Sequence, residues 1–212
     1  QLEKAMVDVT HVIDRQADNV QALQLRAEVY EQQGLPSLAI ADLTLGIKQQ
    51  PENAELLKNR SRLFDELEEP VAAVADLQKA LELAPGQEDI VTNLVSRLTA
   101  QDDLTKAVGA IDRSEKLQDG VLSDTLRLLR ANLKLRQNDA GGAMEDIMKL
   151  SEAASGETES QLLHARTAIA LRRYPEAIDV LSTIPADKID GDALFLKGQA
   201  LTYSGDLEAA AE

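Results

Sequence analysis

In the stretch VQALQLRAEVYEQQ, Val20 to Gln33, apolar residues fall at Ala22, Leu23, Leu25, Ala27, Val29 and Tyr30. Spacings of three and four gather them on one side of a helix, whereas a strand would alternate. The stretch SLAIADLTLGIKQ, Ser37 to Gln49, repeats the pattern. Gly34, between the two, suits the left-handed residue that ends a helix. Pro36, Pro70 and Pro175 stand near the start of second helices, where a missing N–H leaves no bond unmade. Pro51 and Pro85 follow the second helix and stop it. No segment reads as a strand, so the pattern predicts helix–turn–helix units throughout.

These units recur. GLPSLAIADL, Gly34 to Leu43, is echoed thirty-four residues later by EEPVAAVADL, Glu68 to Leu77. A small residue returns at Ala5, Ala39, Ala73, Ala107, Ala143, Ala177 and Ala210, with intervals of 34, 34, 34, 36, 34 and 33. Four residues after it stands an aliphatic side chain: Val9, Leu43, Leu77, Ile111, Ile147 and Leu181. Twelve residues before it stands another compact residue: Ala27, Ser61, Val95, Ala131, Ala165 and Gly198. Alanine at the crossing of two helices lets their backbones approach, and its burial habit makes core packing the reading of all three columns. The 36-residue interval adds two residues near Gln118–Ser123, where a longer loop or slight kink is expected.

A helix–turn–helix of this length with these small positions resembles the tetratricopeptide repeat. Lys197 to Ala210, KGQALTYSGDLEAA, is the best local match, with Gly198, Gly205, Leu207 and Ala210 on the family's pattern. The family's tryptophan is missing, and Asp102 and Arg172 stand where glycine is usual. The resemblance implies an all-α, right-handed superhelical solenoid of antiparallel helix pairs. It divides the chain, as one array over 1–212, into a half repeat 1–19, repeats 20–53, 54–87, 88–121, 124–157 and 158–190, and a partial repeat 191–212. It also implies that the first helix of each pair lines an inner groove suited to an extended or helical peptide. On that implication the groove positions are polar in the early repeats, with Lys58 and Arg62 among them. They turn apolar later: Leu128, Leu135, Leu162, Ile169 and Phe195, interleaved with Asn132, Arg166 and Gln199. Such a stripe offers area for affinity and hydrogen bonds for register. The competing reading is that these leucines pack against neighbouring helices, or that a second copy covers them. Lys58, Asn59 and Arg62 echo the family's carboxylate clamp, but Ser96, Asp89 and Asn93 do not complete it.

Composition narrows the function. Hydrophobic residues make up 44% of the 212, yet aromatics only 2%, so Ala and Leu carry the packing. The net charge of −15 supplies no basic face for a nucleic acid. No apolar run reaches the roughly 20 residues of a membrane helix. Without cysteine there are neither disulfides nor thiolate metal sites. His11 and His164 are the only histidines and lie on different predicted helices, which gives no catalytic pair. The carboxylates of ADKIDGD, Ala186 to Asp192, lack calcium-loop spacing, and helix capping by Asp190 explains them. The expectation is a non-catalytic scaffold for a protein or peptide partner, with no cofactor, no metal and no membrane insertion. The alternatives are a spacer or homo-oligomerising array, and a substrate-selecting segment attached to an enzyme or export machine. The chain begins and stops within units and reads as a segment of a longer protein. Its composition looks bacterial, and both cytoplasm and periplasm fit.

Overall fold

The computed structural model describes residues 2–205, and every regular element among them is helical. The chain divides into two compact units, Gln1–Val121 and Leu122–Glu212. The division falls in loop 118–123, the position of the two-residue insertion; the equivalent loops 50–53 and 84–87 are shorter.

Unit 1 holds α1 (Leu2–Arg15), α2 (Val20–Gln32), α3 (Pro36–Gln49), α4 (Ala54–Glu66), α5 (Pro70–Leu83), α6 (Glu88–Ala100) and α7 (Leu104–Leu117). Helices pair as α2 with α3, α4 with α5 and α6 with α7, and the pairs stack through α3 on α4 and α5 on α6. Unit 2 holds α8 (Asp124–Arg136), α9 (Ala140–Ile147), the single turn α10 (Glu152–Ser155), α11 (Thr158–Ala170), α12 (Tyr174–Ser182) and α13 (Gly191–Ser204). Here α8 pairs with α9 and α11 with α12, and α11 lies against both α8 and α13. The second helices of unit 2 are 8 and 9 residues long, against 14 for α3, α5 and α7. The chain beyond α9 and α12 turns Leu150 and Ile184 back onto the core.

Local chemistry sets the helix ends. The Asn19 and Asn53 side chains accept from backbone N–H groups of the first turn, and Ser123 and Asp190 do the same for α8 and α13. Pro36 and Pro70 occupy the first residue of α3 and α5. The turn within each pair passes through one left-handed residue, Gly34, Glu68, Asp102, Asn138 or Arg172, and Gly205 at the end of α13 shares the conformation, with φ between 57° and 89° in all six. Glycine takes that conformation freely, and the other four hold it against their own Cβ.

The repeated columns form the core. Ala39, Ala73, Ala107, Ala143 and Ala177 are fully buried, as are Leu77 and Ile111 of the aliphatic column. Ala27, Ser61, Val95, Ala131 and Ala165 are buried on the first helices, while Gly198 is half-buried. Ala210 and Leu207 lie outside the described residues.

Candidate functional site

The groove positions fall on one face of each first helix, at intervals of four and three residues. In unit 1 that face is polar and several of its charges are already engaged. Arg62 on α4 pairs with Glu31 on α2, and Arg97 on α6 pairs with Asp65 on α4. Lys58 Nζ lies 2.6 Å from Asp89 Oδ2 on α6 and 2.7 Å from Glu55 Oε2. The Arg62–Glu31, Arg97–Asp65 and Lys58–Asp89 links each join one first helix to the next, while Lys58–Glu55 lies within α4. The hydrogen bond from Arg62 holds the Glu31 carboxyl below its ordinary range, and Lys58 does the same to Asp89. Partial burial lowers the Lys58 ammonium, but the hydrogen bonds it donates to Asp89 and Glu55 outweigh that and leave the group raised.

In unit 2 the equivalent face runs over α8, α11 and α13. Leu128 and Leu135 on α8, and Leu162 and Ile169 on α11, are half-buried and pack against the core cluster around Ala131, Ala165 and Ala168. These four therefore both seal the core and present an apolar edge, which joins the two readings left open by the sequence. Phe195 on α13 projects, 70% exposed. Asn132 is exposed and Gln199 half-buried. Arg166 is exposed and reaches only across to Asp192 Oδ2, at 2.7 Å. Leu194 is 60% exposed, whereas its counterparts Leu23, Leu57 and Val91 are buried.

No family model matches the sequence, and no curated protein matches it. Solved structures do. The C-terminal part of a tetratricopeptide-repeat protein from Cytophaga hutchinsonii is similar over 99% of this chain and 87% of its own, with a TM-score of 0.70 at 13% identity. YrrB, described as a tetratricopeptide protein with an unusual peptide-binding site, matches over 96% and 95% with a TM-score of 0.61 at 13% identity. MamA from Desulfovibrio magneticus matches over 74% and 89% with a TM-score of 0.63 at 16% identity. The fold is that of the tetratricopeptide repeat.

Within the tetratricopeptide frame, the clamp-like trio Lys58, Asn59 and Arg62 is turned to internal use, because both cations already bridge neighbouring first helices. His164 shares a hydrogen bond with Glu176 at 2.9 Å, and His11 is exposed on α1. Asp190 caps α13 through Ala193 N at 2.9 Å. Among the described residues no three histidine or carboxylate side chains converge as a metal site, and no helix is long and apolar enough to cross a membrane.

The repeats also carry a polar device that sequence reasoning missed. Arg26 donates two N–H groups to Asp42 at 2.7 and 2.7 Å, and Arg60 does the same to Asp76 at 2.7 and 2.7 Å. Arg130 repeats this with Asp146 at 2.9 and 2.6 Å, joined by Lys134 Nζ at 2.9 Å. Each pair fastens a first helix to its own second helix. The guanidiniums of Arg26 and Arg60 also lie 5.8 and 5.6 Å from the rings of Tyr30 and Phe64. In the third pair Leu94 and Ala110 take both places together, so neither charge is stranded. The signal was in the sequence: an aspartate three residues after the column alanine, and an arginine sixteen residues before that aspartate.

Proposed function

We propose that the protein is a non-catalytic interaction scaffold, and that the first-helix face of unit 2 takes a peptide or helix from a protein partner. One contrast carries this reading. In unit 1 the equivalent positions are polar, and their ions Glu31, Lys58, Arg62 and Asp65 are already paired, whereas in unit 2 they form an apolar edge, with Leu128, Leu135, Leu162, Ile169 and Phe195 flanked by Asn132, Arg166 and Gln199. Ion pairs that satisfy one another leave little to offer a ligand, whereas exposed apolar area gains from being covered. YrrB, of the same fold, is a peptide binder by its description, which makes the reading apt by analogy alone.

The test is selection of displayed peptides on the whole chain, followed by Phe195→Asp and Arg166→Glu. Both side chains are exposed, so circular dichroism should be unchanged while affinity for the selected peptides falls at least tenfold. Unchanged affinity in both variants overturns the assignment of the face. Leu194 favours a second reading, assembly through α13, since its counterparts elsewhere are covered. Light scattering across concentration decides it: growth in mass that Leu194→Asp abolishes supports assembly, and a constant monomer removes it.

A further inference from the structure

The third helix pair departs from its neighbours at positions that meet at one place. Leu94 and Ala110 replace the arginine–aspartate pair, so two bulky polar groups are absent from the junction of α6 and α7. Gly109 stands beside Ala110, where the first two pairs have Ala41 and Ala75. A Cβ added at Gly109 would meet nothing within 4 Å. Glycine inside a helix destabilises it relative to alanine, and no close approach here requires one. The outcome is an open cleft of about 630 Å³ between α5 and α7. Its floor includes Leu81, Leu94 and Leu98.

The rim is basic. Lys79 from α5 and Lys106 and Arg113 from α7 line it, with Glu82 the only carboxylate. The place of Lys106 belongs to Leu38 and Ala72 in the first two pairs, so that lysine is particular to this cleft, whereas a cation recurs in the column of Arg113 as Lys79. Arg113 pairs with Glu82 at 2.6 Å and Lys106 with Asp103 at 2.7 Å. Lys79 enters no hydrogen bond or ion pair among the described residues, which leaves its charge available. Lys79 faces the cleft unpaired, and three cations against the carboxylates Glu82 and Asp103 leave the rim net positive in a chain of net charge −15, which favours an acidic ligand with an apolar side chain. The cleft is open to solvent between two helix surfaces. An acyl chain lying there would stay largely wet, whereas a peptide can lay one side chain on the floor and keep its backbone hydrated.

We propose that the cleft between α5 and α7 is a binding site for a short acidic segment of a protein partner. A leucine-type side chain would fill the open space over Gly109 and Ala110, above Leu94 and Leu98, and a neighbouring carboxylate would face Lys79 and Lys106. The site lies on second helices of unit 1 and uses none of the residues assigned to the face of unit 2.

The experiment is a nuclear magnetic resonance titration of the whole chain with a capped peptide of alternating Glu-Glu and Leu-Leu pairs. A Gln-for-Glu version and dodecanoate serve as comparison probes. The acidic peptide should shift the amides of Gly109 and Ala110. Lys79→Glu combined with Lys106→Glu should weaken it at least about tenfold. Gly109→Leu fills open space and improves helix propensity, so it should melt no lower than the parent yet abolish binding. No shift at Gly109 up to about 1 mM peptide, the weak limit of specific recognition, overturns the proposal. So does equal binding of the Gln-for-Glu peptide, or undiminished binding in the well-folded Gly109→Leu variant. Shifts produced by dodecanoate but not by the acidic peptide would make the cleft an amphiphile site and also refute the assignment.

Discussion

The arginine–aspartate pairs make a quantitative prediction, because the protein contains its own apolar control. Asp76 is 7% exposed and receives two N–H groups of Arg60 at 2.7 Å each. A third guanidinium N–H reaches Thr44 Oγ1 at 3.0 Å. Asp76→Ala removes the carboxylate and strands the cation. In a fully buried pair that change costs roughly 3–5 kcal/mol. Arg60 keeps some contact with water, with Thr44 and with the Phe64 ring, so about 2 kcal/mol is the better figure. Arg60→Leu alone strands the carboxylate and should also cost about 2 kcal/mol. The double variant recreates the arrangement of Leu94 and Ala110, 1% and 6% exposed in the third pair. It should lose only about 1 kcal/mol, which makes the coupling about 3 kcal/mol. In urea, with a slope of about 2 kcal/mol per molar, each single change lowers the midpoint by about 1 M and the double by about half that. The slope must be compared across variants, because a repeat array can lose cooperativity as well as stability. Single losses that simply add, with coupling under about 0.5 kcal/mol, would refute the reasoning.

Two further outcomes follow from the same geometry. Ala73 is fully buried at the crossing of α4 and α5, so Ala73→Leu should destabilise by about 1–3 kcal/mol; an unchanged melting temperature would remove it from the crossing. At Asp146, burial pushes the carboxyl up, but the hydrogen bonds and charges of Arg130 and Lys134 outweigh it and hold the group below its ordinary value. A lowered folded pKa means stability that is complete above the unfolded value of about 4 and is lost as pH falls through the folded one. Asp146→Asn should therefore flatten the pH dependence of stability below about pH 4, measured by denaturant midpoints, and an unaltered slope would contradict the assignment.

The helix pairs were legible because their determinants are local or cannot vary. Small residues at crossings repeat because a larger side chain would part the backbones, and prolines mark helix starts by their missing N–H. Other features depend on which helices face each other. Arg60 and Asp76 lie sixteen residues apart across a turn, and the spacing has meaning only once α4 and α5 are paired. Lys58 and Arg62 both stand on α4, yet their partners Asp89 and Glu31 sit one helix pair away in opposite directions. Likewise a helical position identifies the face on which Leu135 and Leu162 stand. It does not say how far neighbouring helices lean over them, and here they lean far enough to half-cover both.

The left-handed corners bear on how such a chain diverges. Five corners between paired helices share one backbone bend, yet glycine occupies only one of them, Gly34; glutamate, aspartate, asparagine and arginine hold the rest. The bend is imposed by the docking of the helices on either side, so the letter written there can drift while the geometry persists. Each drifted corner stores a little torsional strain, about 1 kcal/mol or slightly more. The present sequence thus sits below the stability its own backbone permits, and that headroom lies at Glu68, Asp102, Asn138 and Arg172, away from every helix crossing.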